Sequence, residues 1–382
     1  MKFKKNVCIV TWFGSPNFGT NLQAFALLNV LKKEGYCVKI LSQLPPFSNK
    51  QQLLQYYLFK FKPYRVWLRL KRLFSKANES FYFFFFGNPA INKWVKKTLK
   101  PTILNFPFEI RRLVAKTDCF IVGSDQVWNT FVGFDPTMYL DFAGDKKRIS
   151  YASSMGATSI NPRFREEVIK HLLRFSHISL REPAAATLIE HLLERTDVTS
   201  VLDPTLLLSQ QEWSNICCPY NKFLFENSDY IFCYLIGDNQ RYKEIVLDIW
   251  QQSGVKNLVI VPSCENPTFS IDQSFSAKNI SPPEFVWLIK NAKLICTDSF
   301  HATALSINFG KRFVELLRFD DKDVASQNSR IYEILNRYGL KSRLYNKNST
   351  LWQDEIDYSL VHKLLECDRK SSLDWLLDSI EN

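Results

Sequence analysis

Leu294-Ile295-Cys296-Thr297-Asp298-Ser299-Phe300-His301, running on to Ala304, Leu305, Ile307 and Asn308, is the stretch that decides the fold. An apolar run ends in a tight polar turn, and helical spacing follows. The reading is strand, turn, helix. An imidazole and a carboxylate then stand where a strand ends and the first amides of a helix point outward. Such a place suits binding an anion and moving a proton. Only this one of the chain's 5 His sits in such a turn. Its bland alternative is a satisfied structural donor, and the flanking Asp298 and Ser299 favour function.

The same alternation extends outward. Strands are expected over 6–13, 36–41, 119–123, 148–154, 177–180, 230–236, 257–261, 293–296 and 312–316. Helices are expected over 22–33 (capped by Asn21 or Thr20), 161–175, 239–252, 282–291, 301–309, 329–338, 353–367 and 371–380. Alternation of this kind predicts α/β architecture with parallel sheets. At 382 residues two domains are the default. The expected layout is an N-terminal α/β lobe over 1–208 and a linker over 209–228. A C-terminal α/β lobe with closing helices then fills 229–382. Residues 43–118 read as an irregular, basic, aromatic insertion. Ligands in such folds bind outside the carboxyl ends of the strands.

Composition narrows the class. Hydrophobic residues make up 46% and charged residues 23%, as in soluble globular chains. No run of 18 apolar residues occurs, so no transmembrane helix is expected. Val7 to Trp12 is too short for a signal sequence and reads as a first strand, which predicts a cytoplasmic protein. The 9 Cys form no CxxC pair, and buried free thiols are expected. No metal-ligand spacing and no GxSxG signature is present. The net charge of +11 is concentrated. From Glu34 to Glu79 there is no acidic residue, while Lys39, Lys50, Lys60, Lys62, Arg65, Arg69, Lys71, Arg72 and Lys76 are basic. As a helix, 60–76 would set Arg65, Arg69, Arg72 and Lys76 against Val66, Trp67, Leu70, Leu73 and Phe74. That pattern fits either a helix packed on the protein's own core or one lying peripherally on an anionic membrane, rather than nucleic acid.

Further strand ends carry candidates. Gly14 and Gly19 flank the first strand-to-helix turn, where glycine lets a ligand approach the backbone. Ser124-Asp125-Gln126 follows a strand; Asp125 could cap a helix or hold a sugar hydroxyl. Ser179-Leu180-Arg181-Glu182 ends another strand, and an Arg fork there fits phosphate or carboxylate. The alternative for Arg181 is a salt bridge to Glu182 or Asp203.

Five blocks in order resemble the polysaccharide pyruvyl transferase family. They are Gly14-Ser15-Pro16-Asn17-Phe18-Gly19 with Leu22 to Leu27, Val122 to Trp128, Ser179 to Glu182, Asp203 to Leu207, and Asn291 to His301. The resemblance implies two Rossmann-like lobes facing a cleft, similar to B-type glycosyltransferases. It implies transfer of the pyruvyl unit of phosphoenolpyruvate onto a sugar, free or lipid-linked, to form a ketal without a further cofactor. It places His301 and Arg181 at the donor and Asp125 near the acceptor. It also nominates Gly14, Asn17, Gly19, Asn21, Gln23, Ser124, Gln126, Ser179, Asp298 and Ser299 for substrate binding. Ala302 departs from the Gly that many members carry after the His. A nucleotide-sugar glycosyltransferase, or a non-catalytic sugar- or anion-binding protein, are the alternatives on this scaffold.

Overall fold

The computed structural model describes residues 4–41, 88–104, 106–222, 225, 228–263, 265–321, 323 and 326–382. The basic segment 60–76, with its membrane reading, lies outside these residues. The first sheet contains β1 (Asn6–Val10), β2 (Cys37–Leu41), β3 (Cys119–Val122), β4 (Lys147–Ser153), β5 (His177–Leu180) and β6 (Thr199–Ser200), ordered β2-β1-β3-β4-β5-β6. The second contains β7 (Tyr230–Tyr234), β8 (Asn257–Ile260), β9 (Phe275–Ser276), β10 (Leu294–Thr297) and β11 (Phe313–Glu315), ordered β11-β10-β7-β8-β9. Every strand pairing in both sheets is parallel. Helices cover both faces of a parallel sheet, so its strands read as unbroken apolar runs. β3 and β10 are buried at all four positions each.

The helices are α1 (Phe18–Lys33), α2 (Pro89–Thr98), α3 (Pro107–Lys116), α4 (Arg165–Leu172), α5 (Pro183–Leu193), α6 (Pro204–Leu207), α7 (Gln210–Ile216), α8 (Tyr242–Ser253), α9 (Pro282–Asn291), α10 (Phe300–Asn308), α11 (Ser329–Arg337) and α12 (Tyr358–Glu381). Several depart from expectation, each for a local reason. α1 begins a turn early, because Asn17 rather than Asn21 or Thr20 is the cap. Its side chain accepts from Gly19 N at 2.9 Å and Thr20 N at 3.4 Å. The described part of 43–118 holds α2 and α3, both with Pro in the first turn. The stretch expected as a linker holds α7, started by a Ser209–Glu212 capping box. α5 was not expected at all; it opens on Pro183 and an Ala run of high helix propensity. The two expected closing helices are one helix of 24 residues, since Asp368-Arg369-Lys370 contains no breaker.

One hydrophobic core joins the two sheets. It runs from β1 and α1 through α9 and α10 to β7 and β10. Phe18, the first residue of α1, stacks on Phe285 of α9, with ring centroids 4.3 Å apart and planes 8° from parallel. α12 crosses back to the first sheet. Arg369 donates to Leu206 O at 2.8 Å, and at its end Lys5 donates to Ile380 O at 2.8 Å and Tyr36 to Glu381 at 2.6 Å. Among the described residues no helix is long and apolar enough to cross a membrane.

Candidate active site

The strands of both sheets end toward a cavity of about 540 Å³ between the lobes. Gly14, Asn17, Thr20, Asp125 and Gln126 line it from the first lobe, with the Trp12 and Phe13 side chains. Ser299, Phe300, His301, Arg318 and Arg330 line it from the second.

Two helix N-termini converge here. α10 starts at Phe300, and its cap residue Ser299 makes no side-chain capping bond. The first amides of α10 therefore have no side-chain acceptor and carry the positive end of the helix dipole. α1 arrives directly against His301. A Cβ at Gly19 would stand 2.1 Å from His301 Nδ1. Only glycine permits that approach. On the other edge of the ring, Nε2 lies 3.6 Å from Asp203 Oδ2, an electrostatic contact beyond hydrogen-bond length.

Asp203 organises what lies behind His301. Its Oδ2 accepts from Ser124 Oγ at 2.8 Å and from Arg181 Nη1 at 3.1 Å. Its Oδ1 accepts from Thr205 N at 2.9 Å and Thr205 Oγ1 at 2.7 Å. Burial alone would push this carboxyl up. The His301 ring and the Arg181 guanidinium outweigh burial and hold it well below the usual carboxylate range. Arg181 is buried in the same network. Its Nε donates to Glu182 at 3.2 Å, its Nη2 to Ser154 Oγ at 3.0 Å, and its guanidinium lies 4.2 Å over the Phe300 ring. Burial disfavours the charge on Arg181, but Glu182, Asp203 and Asp125 more than offset that and raise its pKa. The fork of Arg181 is thus engaged by protein carboxylates, and it does not line the main cavity.

Asp125 does line it. The residue sits at φ +76°, unusual for a side chain other than glycine, and such strain gathers at functional sites. Its Oδ2 accepts from Thr20 Oγ1 at 2.7 Å and its Oδ1 from Gln126 N at 2.9 Å. Gln126 faces the cavity and donates to Gln327 at 2.7 Å. Gly14 turns the chain at φ +77°.

The other nominated residues stand behind the wall. Asn21 closes the 14–17 loop, accepting from Gly14 N at 2.8 Å and donating to the Ser15 and Asn17 carbonyls at 2.7 Å. Gln23 is buried and ties Thr11, Trp12 and Thr20 together. Ser179 patches an irregularity in β4, accepting from Ala152 N at 3.2 Å and donating to Ser150 O at 2.8 Å. Asp298 pins the end of β7 through Ile236 N at 2.7 Å, Gly237 N at 2.8 Å and Tyr242 Oη at 2.8 Å.

Two cavity cations escaped the sequence reading. Arg318 follows β11, and its Nε is 3.5 Å from Asp298 Oδ2. The strand-end rule that found Arg181 would have found it. Arg330 lies in the first turn of α11, where the dipole disfavours a cation. That misfit was a readable signal. Arg330 donates to Gln327 at 3.1 Å and makes no ion pair with a described residue. Burial, reinforced by Arg318 and Arg181, brings it down to about 9. Asp125 and Glu182 act against that shift without either forming an ion pair with the guanidinium.

The architecture is that of a two-lobed α/β protein with parallel sheets and an arginine-bearing cavity between the lobes. The polysaccharide pyruvyl transferase family model matches residues 17–318, and the chain belongs to that family. No curated protein matches it significantly in sequence. Solved structures similar in fold include MnaA of S. aureus with UDP, at 14% identity over 95% of this chain and 91% of that one, TM-score 0.49. The UDP-GlcNAc 2-epimerase of Neisseria meningitidis bound to UDP-GlcNAc is similar at 12% identity over 98% and 100%, TM-score 0.48. The glycosyltransferase SnogD of Streptomyces nogalater is similar at 11% identity over 98% and 99%, TM-score 0.44.

Proposed function

We propose that the chain transfers the pyruvyl unit of phosphoenolpyruvate to two hydroxyls of one sugar in a surface polysaccharide or its precursor, forming a cyclic ketal and releasing phosphate. The observation that carries this reading is the uncapped N-terminus of α10 opening on the same cavity as Arg318 and Arg330, the latter without an ion pair among the described residues. The donor carries a phosphate and a carboxylate, and these groups suit two forks and a helix terminus. The anion-binding role passes from Arg181 to Arg318 and Arg330, while Arg181 holds Asp203 in place behind His301.

The chemistry then assigns roles. His301 protonates the vinyl carbon and leaves a cation-like centre at C2, with Nε2 held toward Asp203. Asp203 stabilises the ring while it is charged. A sugar hydroxyl adds to C2 and gives its proton to Asp125. The C–O bond to phosphate breaks, and a second hydroxyl closes the ketal as its proton leaves with phosphate. The first-lobe wall, with Asp125, Gln126 and Trp12, suits a sugar acceptor.

A thermal-shift comparison of phosphoenolpyruvate with a UDP-sugar tests the donor. Saturation a hundredfold above Kd stabilises by about 2.7 kcal/mol. Phosphoenolpyruvate is expected to raise the melting temperature of the wild type and to do so much less for Arg330→Lys. A rise with the UDP-sugar alone would overturn the reading.

A further inference from the structure

A second cavity, of about 320 Å³, lies on the far side of Phe300 and Arg330, two residues that line both spaces. This volume is within the usual range of ligand sites. It is lined by Glu182 and Asp203, by Glu333 of α11 with Tyr338 just after it, and by the exposed Ser371 on α12.

The polar groups here are left incomplete in a particular way. Glu182 is 5% exposed, and its Oε1 serves Ser154 and Arg181, while its Oε2 is buried with no hydrogen-bond partner. Glu333 Oε1 accepts from Ala184 N at 3.4 Å, at the start of α5, and its Oε2 is likewise buried and unpartnered. Arg330 is 6% exposed, and its Nε also has no partner. Buried polar groups in folded chains are nearly always answered, by protein or by ordered water, and a ligand hydroxyl can take the place of such a water.

We infer that this cavity is a second ligand site, and that its ligand is a neutral, hydroxyl-rich saccharide unit. A carboxylate oxygen only accepts and a guanidinium only donates, whereas a hydroxyl does both. A hydroxylated ring can therefore answer Glu182, Glu333 and Arg330 together. An anion would meet Glu182, Asp203, Glu333 and Asp368; a cation would meet Arg181, Arg330 and Arg337. The inference does not depend on the identity of the donor in the main cavity.

Saturation-transfer NMR on the full chain tests it, with glucose, galactose, N-acetylglucosamine and maltose as probes. Four proteins are compared. Ser371→Trp fills the exposed rim, Glu333→Gln removes one acceptor at constant shape, Gln126→Trp blocks the main cavity, and the wild type is the reference. At least one probe is expected to bind the wild type and Gln126→Trp alike. Its affinity should fall about tenfold in Glu333→Gln, as for one hydrogen bond to a charged group, and vanish in Ser371→Trp. Absence of binding by every probe means a water-filled space only, and overturns the inference. Loss in Gln126→Trp with retention in folded Ser371→Trp and Glu333→Gln overturns it as well.

Discussion

Replacing Gly19 with Ala adds one methyl group where α1 meets His301 of α10. The new Cβ would meet His301 Nδ1 at 2.1 Å, Cγ at 2.4 Å and Cβ at 2.7 Å. Ordinary contact begins at 3.4 Å, so the ring must retreat by about 1.3 Å. Rotating the ring cannot relieve this, because the His301 Cβ, fixed to the α10 backbone, is itself too close. α1 or α10 has to move, against a core that packs them together. Overpacking of this kind costs about 1–3 kcal/mol. Misplacing a reacting group by about 1 Å costs roughly a hundredfold in rate. Urea unfolding and the rate of pyruvyl transfer read the two effects separately. Gly19→Ala is expected to lose stability in that range and about two decades of turnover. His301→Gly removes all three clashing atoms, so the double variant should recover most of the stability that Gly19→Ala loses, as a coupled pair does. A Gly19→Ala protein that unfolds with the wild-type midpoint and turns over within twofold would refute the close-contact reasoning.

Three further outcomes are expected. His301→Gln should lower turnover roughly 10²–10⁴-fold while donor affinity changes little, and near-normal turnover would leave the His structural. Asp203→Asn breaks a buried pair and should cost about 3–5 kcal/mol in denaturant unfolding. Because the folded Asp203 pKa is depressed, its contribution is present above the unfolded value near 4 and is lost only as pH falls toward the folded value. Glu333 titrates in the opposite sense. Burial first, then Glu182, raises it to about 7, so the native state holds the proton longer. Stability should decline as pH rises from roughly 4 to 7, and the melting temperature of Glu333→Gln should lose that part of the slope. An unchanged slope would place Glu333 in water.

The sequence announced the elements better than their joints. Apolar runs such as Cys119–Val122 and Leu294–Ile295 could only be strands of a doubly covered sheet, so both sheets were legible. The start of α1 was misplaced because Asn17, Thr20 and Asn21 can all cap, and only the tertiary position of Phe18 on Phe285 selects among them. The site was half legible. His301 and Asp125 advertise themselves at strand ends. Arg330 gives a weaker signal, a cation in the first turn of a helix; that it makes no ion pair with a described residue is a property of packing. Arg181 reads from the sequence either as an anion binder or as a salt-bridge partner of Glu182 or Asp203, and its fork engages both carboxylates; packing rather than local sequence decides between the two.

The stacked pair Phe18–Phe285 has a consequence for traffic through the protein. Swinging the lobes apart would unstack it and wet the core that α1 shares with α9 and α10, at about 1.5–3 kcal/mol for each large apolar side chain exposed. The cavity mouth is therefore a fixed doorway rather than a clamshell. Under the proposed reaction, the acceptor is drawn in by whichever end or branch fits that mouth, and the size of the mouth becomes a filter on the sugars that react.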